Sequence, residues 1–193
     1  MSLTVAEAIA SRRATRKYLD KEIPEAVLDR VVEQALEAPS AFNLQLRDLV
    51  VVRDAGIKQA LFEASNQRQF LDAPVVLISV ARAEAFPDDV KEILPTERLN
   101  MIAGWQETKT PEKLREAALK DAMLVSGFAL LAAQAEGLAT SPTTGWDEEK
   151  VKAAIGIGGR ADRAIGMVIA VGYPDEAPQH PGRQSNRRVE NRY

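Results

Sequence analysis

The stretch AMLVSGFALLAAQAEG, residues 122–137, constrains the fold more than any other part of the chain. It is the second half of the longest helical pattern, Glu112 to Glu136. It is apolar on nearly every side, and a helix without a polar face must be covered all round. Either the interior of a large core or a contact between subunits provides that cover. A single domain of 193 residues rarely encloses so long a helix, so an interface is expected. Gly137 marks its end.

The bulk numbers fit one ordinary domain. Apolar residues make up 46% and charged residues 27% of the chain. A chain of this size hides roughly 70% of its unfolded surface. Lys and Arg total 25 against 28 Asp and Glu, a net charge of −3. A general nucleic-acid binder is usually more basic, so any basic site here must be local. The sequence has no cysteine, which excludes disulfides, thiolate metal sites and Cys nucleophiles and suits a reducing cytoplasm. His180 is the only histidine and sits in the turn-like PQHPG, which gives a His-based triad or metal site little support. MSLTVAEAIA is too short and polar for a signal peptide. No apolar run approaches the ~20 residues of a membrane span. The expectation is a cytoplasmic protein with no metal, membrane or nucleic-acid partner.

Thr4 and Glu7 form a capping box that opens a short helix. Pro24 suits the first position of a second helix, whose apolar residues Val27, Leu28, Val31, Val32, Ala35 and Leu36 recur at helical spacing, and Pro39 stops it. Leu49–Val52, Val75–Val80 and Ala164–Val171 read as three buried strands, with helices at Gly56–Ser65 and Asp147–Ile155. Between Phe86 and Gln106 the pattern is ambiguous: Pro95 breaks a helical run, and Met101–Trp105 suggests a lid-like segment. From Tyr173 onward the chain is polar and Pro-rich, with Arg183, Arg187, Arg188 and Arg192, and cannot form a core alone. Helices outnumber strands and separate them, which suggests a sheet wrapped by helices.

Two stretches carry polar chemistry. SRRATRKY, residues 11–18, packs Arg12, Arg13, Arg16 and Lys17 together. In a helix or an extended segment, two guanidinium groups there can converge on one phosphate, which matches their forked donors. Taken alone, a solvated basic helix end accounts for the charges equally. APSAFNLQ, residues 38–45, places Ser40, Asn43 and Gln45 within six positions. Such a turn can hold a heteroaromatic ring by hydrogen bonds, or it is simply a polar loop after a helix stop.

Together, in this order and spacing, RRATRKY and APSAFNLQ resemble the nitroreductase family of flavin enzymes, whose pattern runs R-R-S-x-R-x-F, a helix, then A-P-S-x-x-N-x-Q-P-W. NQRQFLDAPVVLISV (66–80), SPTTGWDEEKVKAAIGI (141–157), AIGMVIAVGYP (164–174) and the basic tail QSNRRVENRY are similar to later segments of that family. The resemblance covers nearly the whole chain.

It implies an α+β, three-layer fold with a central, mostly antiparallel sheet wrapped by helices, in an intertwined homodimer. Residues 1–172 would form the flavin-binding domain, and residues 173–193 an extension wrapping the partner subunit. It implies noncovalent FMN at the dimer interface and NAD(P)H as electron donor. Hydride would pass through flavin N5 to nitroaromatics, quinones or other small flat acceptors, with ping-pong kinetics and no catalytic side chain. Arg12, Arg13, Ala14 and Arg16 would meet the phosphate and ribityl chain, helped by Arg187 and Arg188. Pro39, Ser40, Ala41, Asn43 and Gln45 would come from the other subunit. Asn66 and Gln69 would face the pyrimidine edge, and the loop Pro142, Thr143, Thr144 and Gly145 would lie over the ring. Departures from the pattern are Ala14 for Ser, Leu46 and Arg47 for Pro and Trp, Gln69 for the Lys of some members, and Thr144 for an acidic residue. Two alternatives are a same-fold flavoenzyme with another reaction (dehydrogenase, dehalogenase or flavin-degrading) and an anion-binding module for a partner such as RNA. The acidic net charge and only 5% aromatic residues weigh against the second, because base stacking needs aromatic platforms.

Overall fold

The computed structural model describes residues 3–192. The chain runs α1 (Val5–Ser11), α2 (Glu25–Leu36), β1 (Arg47–Val52), α3 (Ala55–Ser65), α4 (Gln69–Asp72), β2 (Val75–Arg82), α5 (Thr96–Gln106), α6 (Pro111–Ala135), β3 (Ala139–Thr143), α7 (Glu148–Ala154) and β4 (Arg163–Gly172). Short 3₁₀ turns occupy Ala41–Asn43, Asp88–Glu92 and Ser185–Arg187.

The four strands form one antiparallel sheet in the order β1-β2-β4-β3. Alternate residues of a strand face opposite sides, and β2 divides accordingly. Val76, Ile78 and Val80 enter a core with Leu61, Phe70 and Val151 from α3, α4 and α7. Val75 and Leu77 enter a second core with Leu28, Val31, Ala129 and Ala133 from α2 and α6. The expected α+β sheet between two helical layers is therefore what the chain adopts. A third cluster, around Leu46, Leu99, Ile102, Ala118 and Ala122, extends the second core under α5.

Three expectations change. Pro142 and Thr143, expected in a loop, end a fourth strand, β3, where they pair with Ile169 and Val168. β3 is an edge strand, where a proline costs no ladder hydrogen bond on its open side. β1 is half exposed rather than buried, because it is the other edge. Met101–Trp105 lies within a regular helix, α5, which Pro95 precedes as N-cap rather than breaks.

The long helix resolves into two unlike faces. Its inner face carries Ala118, Ala122, Val125, Ser126, Ala129, Ala132 and Ala133, all buried. Small side chains let the helix lie close on the sheet, and Gly166 of β4 completes the fit: a Cβ there would meet Ser79 Oγ at 2.7 Å and Ala122 Cβ at 2.8 Å. Ser126 donates to Ser79 Oγ across this contact at 2.8 Å. The outer face carries Met123, Leu124 and Phe128, all exposed. Exposed Val5 and Ile9 of α1 add to the apolar surface, and Val5, Phe128 and Leu131 line an apolar hollow of about 320 Å³. Among the described residues, no helix is long and apolar enough to cross a membrane.

Gly166→Ala should lower unfolding stability by about 1–3 kcal/mol through overpacking at this contact. Chemical denaturation measures it, and an unchanged midpoint would contradict the close approach.

Candidate functional site

The basic segment leaves α1 at Arg12, whose backbone N–H still bonds Ala8 O at 3.0 Å. From there the chain is extended and lies against the open edge of β3. Ala14 bridges Thr140 in parallel, and Thr15 N–H donates to Thr140 O at 3.0 Å. In an extended segment alternate residues share a face, so Arg12, Ala14 and Arg16 take one side and Arg13, Thr15 and Lys17 the other. The surroundings agree: Arg13 and Thr15, with Gln134, Gly137 and Glu176, line a cleft of about 640 Å³. Arg13 Nη1 donates to Ala10 O and Arg12 O, both at 2.8 Å, and its charge still acts on Arg12.

Arg12 is the member whose environment calls for an anion. Its Nη1 is buried with no hydrogen-bond partner. Burial, with the like charges of Arg183 and Arg13, holds its guanidinium below the usual arginine range. A buried N–H without a hydrogen-bond partner is costly, and a bound anion removes that cost. Thr140 Oγ1, on the strand beside it, is also buried without a partner. The Arg16 side chain makes no hydrogen bond or ion pair among the described residues, while its backbone N–H donates to Glu176 at 2.6 Å and fixes the start of the tail. The tail cation that acts on Arg12 is Arg183. Arg187 and Arg188 stand exposed, bonded to Gln184 and Glu190 respectively.

Further along β3 the structure groups Thr143 with Gln69. Gln69 is buried at the start of α4 and donates to Gln67 Oε1 at 2.8 Å and to Thr143 Oγ1 at 3.4 Å. Asn66 ends α3 in the left-handed region, φ 54°. Asp147 N–H donates to Ala64 O at 2.8 Å, which docks the loop holding Thr144 and Gly145 beside Asn66. A Cβ on Gly145 would meet nothing within 4 Å. Nothing within this chain requires a glycine there.

The turn after α2 forms the other half. Pro39 and Ser40 lead into Ala41–Asn43, and Phe42, Asn43 and Gln45 all have positive φ, 57°, 58° and 51°. Three non-glycine residues in the left-handed region within four positions store strain, which clusters at functional sites. Ser40 Oγ accepts from Gln45 N–H at 2.9 Å. The side chain that holds this turn is Arg47, which sequence reasoning noticed only as a departure. It is buried, and it donates to Leu36 O at 2.7 Å, Ala38 O at 3.3 Å and Gln45 Oε1 at 2.9 Å. Burial lowers the pKa of Arg47, and the nearby Asp121 partly restores it. Asp121 in turn accepts from Leu46 N–H at 3.1 Å, and burial raises its own pKa. An arginine opening a strand whose last four residues are apolar was the available signal for Arg47.

The two halves stand at opposite edges of the sheet. The turn precedes β1, and the basic segment runs along β3. Three strand spacings separate those edges, about 14 Å. Within one copy the two halves therefore lie across the width of the sheet from each other.

Arg47→Ala should cost about 2 kcal/mol, as buried charged hydrogen bonds do, and speed amide exchange at Gln45 and Leu46. Wild-type protection of those amides in the variant would contradict the role given to Arg47.

The family model described as Nitroreductase family matches residues 9–173. A Thermus thermophilus protein named NADH dehydrogenase is 34% identical over 188 residues, covering 90% of this chain and 89% of that protein. A Streptococcus pneumoniae nitroreductase family protein shares the fold with a TM-score of 0.86 at 23% identity, over 98% of this chain and 100% of that one. A protein of Exiguobacterium sibiricum solved in complex with FMN shares it with a TM-score of 0.85 at 23% identity, over 95% and 94% of the two chains.

Proposed function

The chain belongs to the nitroreductase family, and from that premise we propose that it is an FMN-dependent NAD(P)H oxidoreductase working as a homodimer on small flat acceptors such as quinones and nitroaromatics. The observation that carries the reading is the half-buried Arg12, whose Nη1 is buried and unpartnered, on a segment fixed to the edge of β3. A phosphate monoester is the anion its forked donors suit. The FMN-bound relative of the same fold supports the choice of cofactor.

The chain's residues fit that cofactor. Arg12 and Arg16 hold the phosphate, and Thr140 Oγ1 offers a buried hydroxyl beside it. Gln69 and Asn66 present amide groups to the polar edge of the ring. Thr144 and Gly145 approach its face, where a side chain at 145 would intrude. Arg13 adds positive charge next to Arg12, and the exposed Arg187 and Arg188 of the tail are further candidates for the phosphate. When bound, FMN supplies the hydride-accepting and hydride-donating chemistry. No side chain has to act as acid, base or nucleophile, which accords with a chain without cysteine and with a single exposed histidine.

Ser40, Asn43 and Gln45 reach the same ring from a second copy. The exposed apolar face of α6 and α1 is the surface that joins the copies: Leu124 and Phe128, with Val5 and Ile9 beside them, form a patch of the kind that marks interaction sites. The tail beyond residue 172 extends toward the partner.

Purified protein should be yellow, retain FMN and oxidise NADH or NADPH with a quinone acceptor. Arg12→Ala should weaken FMN binding by about 10- to 100-fold, the range for a charged hydrogen bond, with unfolding stability kept. Equal flavin affinity in variant and wild type would contradict the phosphate assignment.

A further inference from the structure

Phe42 sits in the middle of the strained turn, between Ser40 and Asn43, with φ 57°. A bulky aromatic residue rarely adopts that conformation. Within the chain its ring is 40% exposed and packs edge-on against Trp105 of α5, with centroids 5.4 Å apart and planes at 72°. Trp105 is itself 51% exposed, and Met101, one helical turn earlier on the same face, is 66% exposed. Three large apolar side chains therefore form a ledge beside the turn that carries Ser40, Asn43 and Gln45.

The ledge holds a charge. Lys109, just after α5, places its Nζ 3.8 Å from the centroid of the Trp105 ring. Among the described residues it has no ion-pair partner and its ammonium donates no hydrogen bond; the cation–π contact is what holds it. The nearby Lys120 is neutralised by Glu116 at 2.6 Å. Burial against the ledge and the like charge of Lys120 both push the Lys109 ammonium below the usual lysine range. An aromatic ledge with an unpaired cation at its rim recognises a flat molecule that carries a negative substituent.

We infer that Phe42, Trp105 and Lys109 form an acceptor subsite selective for planar aromatics bearing a carboxylate or sulfonate over their neutral counterparts. This rests on the function proposed above, in which the turn around Phe42 faces the flavin of the partner copy. The ring of the acceptor lies along Phe42 and Trp105, and its anionic group meets Lys109.

The test uses the flavin-loaded full chain with two quinones, neutral 2-methyl-1,4-naphthoquinone and anionic 1,4-naphthoquinone-2-sulfonate. Lys109→Met should lower the ratio of kcat/KM, sulfonate over neutral, by about 2- to 5-fold, the range of a partly exposed charge contact. The loss should fall mainly in KM, and Lys109→Arg should restore the ratio. Independently of turnover, the sulfonate titrated without NAD(P)H should quench indole emission in wild type. That quenching should be lost in Trp105→Phe and shifted to higher concentration in Lys109→Met. A ratio unchanged by Lys109→Met, or quenching that survives Trp105→Phe, overturns the subsite. Absence of bound flavin or of NAD(P)H oxidation would instead count against the proposed function, and the titration then decides the subsite by itself.

Discussion

A helix can press only one side against a sheet. In this chain α6 presses its alanines, Val125 and Ser126 onto β2 and β4, so closely that Gly166 has no room for a Cβ. The larger residues Met123, Leu124 and Phe128 are left pointing outward. Much else follows from that contact. It fixes the second core, sets α1 beside α6, and produces an apolar outer surface that a second copy can cover. The same sheet holds the two polar half-sites apart at its edges.

The elements with strong apolar patterns were legible from the sequence. Val75–Val80 and Ala164–Val171 are the central strands β2 and β4, and the helical spacing in α2, α3 and α7 was correct to within a residue or two. β3 was missed because Thr140, Ser141 and Pro142 offer no apolar run. As an edge strand it needs ladder bonds on one side only, which its backbone supplies whatever the side chains. β1 was read as buried because Leu49–Val52 is continuously apolar, but an edge position leaves Val51 in the open. In α5, Pro95 looked like a break within a helix. As an N-cap it begins one, since the cap position has extended backbone.

The candidate site was legible as residue types and less so as geometry. Four cations in six positions signalled an anion, but which of them face it depends on whether the segment is helical or extended. The bridge from Ala14 to Thr140 shows the segment extended, and no local pattern announces a contact 126 residues away. The turn at 38–45 was legible as polar, whereas its strain and its anchor were not. Positive φ at Phe42 is unexpected for an aromatic residue. Arg47 holds the turn through carbonyls of a helix end, Leu36 and Ala38, which become neighbours only after folding.

The central claim is that one site is made from the Arg12 segment of one copy and the turn at 40–45 of another. Subunit complementation tests it most directly. Arg12→Ala and Asn43→Ala proteins, each deficient in flavin-dependent turnover, are unfolded together, refolded as an equal mixture and assayed. In a symmetric dimer with shared sites, mixed dimers carry one intact and one doubly altered site, so activity should return to about a quarter of wild type. If each site were built within one copy, every site in the mixture would keep a defect, and activity no higher than that of the separate variants would contradict the account.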